Sequence, residues 1–319
     1  MTKNKVDLSV SLGRIAMRNP IVTASGCSGY GEELARFFDL RRLGALITKS
    51  ITLEPREGHP PPRLAETRAG MLNAIGLANV GLEAFLAEKL PVLAAHQVPV
   101  IVNVAGSTRE EYVRVAAALD AAPAVAGIEL NVSCPNVKEG GMEFGVEPAS
   151  LAGLVGAVRA KVSRATLIVK LSPNVTDIAV TARAAVDAGA DALSLINTLR
   201  GLAIDPWKGT PLLTNVTGGL SGPAIKPVAL YMVRRVWEEV AGPRGVPILG
   251  LGGVQFVEDV LEFLRAGATA VAVGTANFVD PETTPKLVDA LSEALERLGC
   301  GSPRDLVGAL DRSRAGKDS

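Results

Sequence analysis

The sequence predicts a single α/β barrel of the closed (β/α)8 type. Three observations point there: eight short, nearly continuous apolar runs, a helical pattern after each of them, and no compositional break marking a second domain over about 300 residues. Strands covered by helices on both faces lose the polar alternation of half-exposed strands, and these runs have lost it. The runs are Ile21 to Ala24, Ala45 to Ser50, Val100 to Val104, Ile128 to Val132, Leu167 to Leu171, Ala192 to Ile196, Pro247 to Leu251 and Ala270 to Val273. Helices are expected over Glu32 to Phe38, Leu82 to Ala94, Glu110 to Ala121, Pro148 to Val162, Ile178 to Ala188, Pro227 to Val240, Val257 to Ala266 and Pro285 to Leu298. Their apolar residues recur at i, i+3 and i+4.

Before the first run, V-D-L-S-V-S-L-G-R-I-A-M alternates around Leu12-Gly13 and reads as a short β-hairpin capping the bottom of the barrel. The strings L-G-A-L, A-G-I-E, A-G-A-D and A-G-A-T recur just before strands, suggesting equivalent helix-to-strand turns with glycine at positive φ. Two connections, after Ser50 and after Ile196, are long. Long βα loops in a barrel lie over its C-terminal face, where active sites are built. Residues 1–310 are read as one domain, and the polar end 311–319 as a disordered tail.

Composition excludes several functions. Lysine plus arginine number 33 against 33 acidic residues, so no basic field attracts nucleic acid. Aromatic residues are only 4%, which disfavours stacking clefts. No apolar stretch is long enough to cross a bilayer and no secretory pattern opens the chain, so a soluble, cytoplasmic protein without a membrane segment is expected. The three cysteines, Cys27, Cys134 and Cys300, are too few for a four-thiolate cluster or zinc site.

The polar residues at the strand ends would converge on one mouth. They are Ser25 and Gly26, Lys49 and Ser50, Asn103, Asn131 with Ser133 and Cys134, Lys170 with Ser172, Asn197 and Thr198, Gly252 and Gly253, and Gly274 and Thr275. The set offers cations and amides without Asp, Glu or His, so it suits an electron-rich, anionic, carbonyl-bearing guest rather than a divalent metal. Gly250 to Gly253 and Gly274-Thr275 follow the last two strands, where barrels hold phosphate on backbone N–H groups. No dinucleotide fingerprint opens a helix after the first strand.

Cys134, in a turn flanked by Ser133 and Pro135, is the candidate base. A thiolate serves as one when positive charge or backbone donors lower its pKa. His59 and His96 are read as surface residues, Trp207 as loop packing, and Cys27 and Cys300 as structural thiols. Lys49 and Lys170 end apolar strands, so each must face an anionic ligand or a hidden carboxylate, and the ligand is favoured. A barrel aldolase using Lys49 or Lys170 as a Schiff base, and a non-catalytic barrel binding a phosphorylated ligand, remain alternatives.

N-A-I-G-L-A-N (73–79), E-L-N-V-S-C-P-N-V-K-E-G-G-M-E-F-G (129–145), I-N-T (196–198), G-G-L-S-G (218–222), G-L-G-G-V (250–254) and V-G-T (273–275) resemble, in order, the motifs of the dihydroorotate dehydrogenases. The resemblance implies an FMN-containing barrel oxidising dihydroorotate to orotate in pyrimidine biosynthesis. It further implies flavin contacts at Ser25, Lys49, Ser50, Asn103, Asn131, Lys170, Ile196, Gly222, Gly252, Gly253, Gly274 and Thr275. Orotate contacts are implied at Lys49, Asn73, Ala74, Ile75, Gly76, Leu77, Asn131, Asn197 and Thr198, with Cys134 as the base. N-A-I-G-L is similar to the NAD-linked subtype (class 1B) rather than the fumarate-linked class 1A. That subtype implies a homodimer joined to a subunit carrying FAD and a [2Fe-2S] cluster, in a heterotetramer.

Overall fold

The computed structural model describes residues 6–133, 144–311 and 313. Chain order gives sixteen strands: β1 (Val10–Leu12), β2 (Ile15–Met17), β3 (Ile21–Thr23), β4 (Leu46–Ile47), β5 (Leu64–Thr67), β6 (Gly70–Asn73), β7 (Val100–Val104) and β8 (Val125–Asn131) form the first half. The second half is β9 (Thr166–Lys170), β10 (Ala192–Leu195), β11 (Leu199–Leu202), β12 (Ile204–Asp205), β13 (Thr210–Pro211), β14 (Thr217–Ser221), β15 (Ile248–Leu251) and β16 (Ala270–Val273). The helices are α1 (Leu82–Ala84), α2 (Leu90–Ala95), α3 (Arg109–Asp120), α4 (Pro148–Arg159), α5 (Ile178–Asp187), α6 (Lys226–Val236), α7 (Gly242–Arg244), α8 (Val257–Ala266), α9 (Ala276–Val279) and α10 (Thr283–Leu298).

Eight strands form one parallel sheet in the order β3-β16-β15-β10-β9-β8-β7-β4, and a parallel bridge between Val22 and Ala45 joins its two ends into a barrel. All eight expected runs carry strand, with Val100–Val104 and Ala270–Val273 matching end to end. The hairpin β1–β2 pairs Leu12 with Ile15 and pushes Val10, Leu12, Ile15 and Met17 into one buried cluster with Ile101, Ile168 and Leu249 of the strands. It therefore plugs the barrel bottom as expected.

The helices pack outside and start where side chains satisfy their first N–H groups. Thr108 accepts from Glu111 N–H, Glu147 from Ala149 and Ser150, and Asp177 from Ala179. Two of the four recurrent glycines make the turn foreseen for them, Gly189 at φ +102° and Gly267 at φ +121°. The other two serve close approach: a Cβ on Gly44 would meet Asn19 O at 2.1 Å, and one on Gly127, inside β8, would meet Ile15 Cδ1 at 2.8 Å.

Two expectations change, and a third gains detail. Over Glu32 to Phe38 only the 3₁₀ turn Leu34–Arg36 forms, because Asp39 then accepts from Arg41 N–H and starts a new turn at Leu40–Arg42. The two long connections lie over the C-terminal face as expected and carry strands of their own. They pair with each other in a second, antiparallel sheet, β11-β14-β6-β5, that roofs the mouth and sets Asn73 opposite Gly219. Trp207 does not pack: it stands 94% exposed between β12 and β13. Of the tail expected over 311–319, only Asp311 and Ser313 are among the described residues, and no described helix is long and apolar enough to cross a membrane.

Candidate active site

The ends of the barrel strands and the roof enclose a cavity of about 430 Å³, a size typical of small-molecule sites. Sixteen of the contacts implied by the resemblance line it: Ser25, Lys49, Ser50, Asn73, Ile75, Leu77, Asn131, Lys170, Ile196, Asn197, Thr198, Gly222, Gly252, Gly253, Gly274 and Thr275. Ala74 and Gly76 do not. Ala74 is buried with its N–H bonded to Arg63 O, while Gly76 turns at φ +72° against His59. Asn103 is fully buried, one layer below the cavity floor. Cys134 lies outside the described residues.

The amides at the mouth are held in fixed orientations. Asn131 Oδ1 accepts from Asn197 Nδ2 at 3.1 Å and from Ser133 N–H, and Asn197 Oδ1 accepts from Thr198 N–H at 2.9 Å. The Tyr112 hydroxyl donates to the Asn131 carbonyl at 2.7 Å, fixing the strand end itself. Asn73 Nδ2 donates to Gly219 O at 3.2 Å, so this cavity-lining amide is held by the neighbouring roof strand. Thr275 donates to Ser221 Oγ at 2.8 Å and links the last barrel strand to that same roof.

The two lysines differ. No described carboxylate lies within 4.0 Å of the Lys49 ammonium; burial, and then the charge of Arg63, lower its pKa, with Glu33 opposing. Such an ammonium gains most from an anionic guest. Lys170 does face a hidden carboxylate: Glu129, fully buried in β8, sits 4.0 Å away, while the ammonium donates to Ser25 Oγ at 2.9 Å and still lines the cavity. Glu129 is absent from a roster of strand-end residues because it lies two positions inside β8, within an apolar run.

Cys27, read as structural, also lines the cavity. Burial pushes its thiol up to about 11 against the opposing charge of Lys170, so it is a poor base. Cys300 packs against the outer core as a structural thiol should. His59 is half-buried rather than a surface residue, one ring nitrogen 3.1 Å from Ala74 O, and His96 is likewise half-buried.

Glycines after β15 and β16 line another part of the cavity. Gly253 N–H and Gly274 N–H meet no backbone acceptor among the described residues, and Gly274 leads into the short helix α9. A Cβ on Gly253 would come within 2.8 Å of Gly222 O, so these glycines keep the wall thin. Lys226 pairs with Asp259 at 2.6 Å, and Asp259 accepts from Gln255 and Phe256 N–H, which fixes the loop after β15. No group of three or more potential metal ligands occurs among the described residues. Free backbone N–H groups on glycines, two lysines and a set of amides lining one cavity fit a phosphorylated, carbonyl-rich cofactor such as FMN.

Fold and cleft together define a (β/α)8 barrel of the class that binds phosphorylated ligands at its C-terminal mouth. The family model for dihydroorotate dehydrogenase matches residues 7–295. Similar proteins include the catalytic subunits named dihydroorotate dehydrogenase B (NAD(+)) of Geotalea daltonii, 55% identical over 96% of this chain and 99% of its own length, and of Pelobacter propionicus, 54% identical over the same shares. That of Bacteroides fragilis is 52% identical, again over 96% and 99%. The chain belongs to the dihydroorotate dehydrogenase family.

Proposed function

We propose that this chain is the catalytic subunit of an NAD-linked dihydroorotate dehydrogenase, acting in the cytoplasm and oxidising (S)-dihydroorotate to orotate in pyrimidine biosynthesis. The observation that carries this reading is that one cavity is lined both by Lys49, Asn73, Asn131, Asn197 and Thr198 and by Gly222, Gly252, Gly253 and Gly274.

FMN, when bound, supplies the acceptor for the hydride that leaves substrate C6. The rest falls to side chains. Lys49 pairs with the substrate carboxylate, and the amides of Asn73, Asn131 and Asn197 with the Thr198 hydroxyl hold its carboxylate and ring polar groups, which fixes C5 and C6 in place. Cys134 Sγ, as thiolate, takes the proton from C5. Lys170 and the glycine wall hold the cofactor by charge and by backbone N–H groups.

Two features support a larger assembly. Relatives carry the word subunit in their names, and the chain's three cysteines cannot ligate an iron-sulfur cluster, so a partner carrying FAD and [2Fe-2S] passes the electrons to NAD⁺. Leu202, Ile204, Trp207, Leu212 and Val216 form exposed apolar positions on the roof excursion, suited to a second copy of this chain; two copies of each subunit then make a heterotetramer.

Purified protein should be yellow and bleach anaerobically on addition of dihydroorotate. A colourless protein that takes up no FMN, or a bound flavin that dihydroorotate leaves oxidised, refutes the reading. Reoxidation of the isolated chain by fumarate at the rate of turnover would move it to the fumarate-linked class.

A further inference from the structure

Glu129 is the one carboxylate of the described residues buried beneath this cleft, and its surroundings are fully built. Asn103 Nδ2 donates to Oε2 at 2.5 Å, Ser194 Oγ donates to Oε1 at 2.7 Å, and the Lys170 ammonium stands 4.0 Å from Oε2. These partners come from β7, β10 and β9, so the carboxylate ties three neighbours of the sheet together. Asn103 in turn accepts from Ser50, and Lys170 donates to Ser25, both of which line the cavity. A charge buried so completely is costly unless opposed, and removing one partner of such a pair strands the other.

We propose that Glu129 is a positioning residue that sets the electron affinity of the flavin by holding Lys170 and offsetting its charge. The proposal rests on the reading of the cleft as an FMN site. Lys170 lines the cavity and Glu129 does not reach it, so the cation lies on the cofactor side and the anion one layer behind. A bare lysine there would draw electron density into the ring and hold it. The pair presents a weaker field, which keeps electron uptake reversible, as a carrier that passes electrons on requires.

Glu129→Gln keeps the shape: Ser194 can turn its hydroxyl to accept while the amide oxygen still accepts from Asn103. Only the charge goes. With FMN bound and the potential measured against a redox dye, E129Q should shift the oxidised-to-reduced equilibrium about tenfold toward reduced flavin, which is about 30 mV for a two-electron couple. Glu129→Asp, which keeps the charge, should stay within about threefold of wild type. If E129Q does not fold, the double variant E129Q/K170M removes the pair together, a change that buried pairs tolerate; it should hold FMN more weakly because Lys170 helps bind it, and, read at saturating FMN, its oxidised-to-reduced equilibrium should stay within about threefold of wild type. Flavin-loaded E129Q with an unchanged or lower potential, or a double variant that falls tenfold or more as if it had lost a lone cation, overturns the proposal. A wild-type protein that takes up no flavin instead refutes the reading of the cleft itself.

Discussion

Asn197 donates its side-chain amide to the side-chain carbonyl of Asn131 at 3.1 Å, joining residues 66 positions apart at the ends of two barrel strands. The contact spends the acceptor of Asn131 inside the protein and leaves its Nδ2 hydrogens for a guest. In the proposed function Asn131 then acts on the ligand and Asn197 acts partly through Asn131.

The two asparagines should therefore differ when truncated. A hydrogen bond to a charged group is worth about 1.5–3 kcal/mol, so Asn131→Ala should lower kcat/KM about tenfold to a hundredfold. Asn197→Ala removes one neutral bond inside the pair as well as a ligand contact, and Asn131→Ala in that background should cost less than it does alone. Steady-state kinetics on the two single variants and the double decide it; strict additivity would show that the asparagines bind independently.

Cys134 is assigned the proton at C5. General base catalysis contributes about a hundredfold to ten-thousandfold, so Cys134→Ala should lose turnover on that scale while its flavin absorbance stays unchanged. Cys134→Ser should retain partial activity with its optimum moved to higher pH, because a hydroxyl gives up its proton far less readily than a thiol. Turnover of the alanine variant at wild-type rates across the pH range would remove Cys134 from the mechanism.

If Lys49 pairs with the substrate carboxylate as proposed, it should set an upper pH limit on binding. Burial, and the charge of Arg63, hold its pKa below the ordinary lysine range. Its cation, and with it the attraction for a carboxylate, is present below that lowered pKa and is lost as pH rises through it. KM for dihydroorotate should accordingly climb on the alkaline side at a lower pH than an unperturbed lysine, about 10.4, would allow. Lys49→Met should raise KM at neutral pH and abolish this alkaline limb.

What the sequence revealed and what it hid divide along a physical line. Continuous apolar runs announce barrel strands because burial on both faces leaves no room for polar alternation, and Val257–Ala266 announced a helix by its one-sided pattern. Convergence at the mouth followed from topology for the residues at the barrel strand ends, whereas Asn73, Ile75, Leu77 and Gly222 on the long connections came only from the family resemblance; together they make sixteen proposed contacts that line one cavity. The pairing of β6 with β14 was invisible, since Asn73 and Gly219 are 146 residues apart and each strand is short. Glu129 was hidden for a related reason: its partners Asn103, Lys170 and Ser194 come from three other strands, so no local spacing marks it. Trp207 was misread because a bulky residue in a turn looks the same whether it packs inward or stands out.

Asp120 offers a stability test away from the chemistry. At the end of α3 its carboxylate accepts from the N–H groups of Ser163, Arg164 and Ala165 and so clamps the turn that leads into β9, the strand that carries Lys170. Burial pushes its pKa up, but those three donors and the charge of Arg164 outweigh it and leave the pKa lowered. A carboxyl whose folded pKa is depressed contributes stability that is present above its unfolded value, about 3.9, and is lost as pH falls through the folded one. Asp120→Ala strands three backbone donors; with the buried one costing about 1–3 kcal/mol and the others partly solvated, the loss should be about 2–4 kcal/mol. Urea unfolding at pH 7 should show that deficit, and it should shrink as the pH is lowered through the acid range. A deficit that stays constant down to the acid transition would mean that packing around the side chain, rather than its charge, holds the turn.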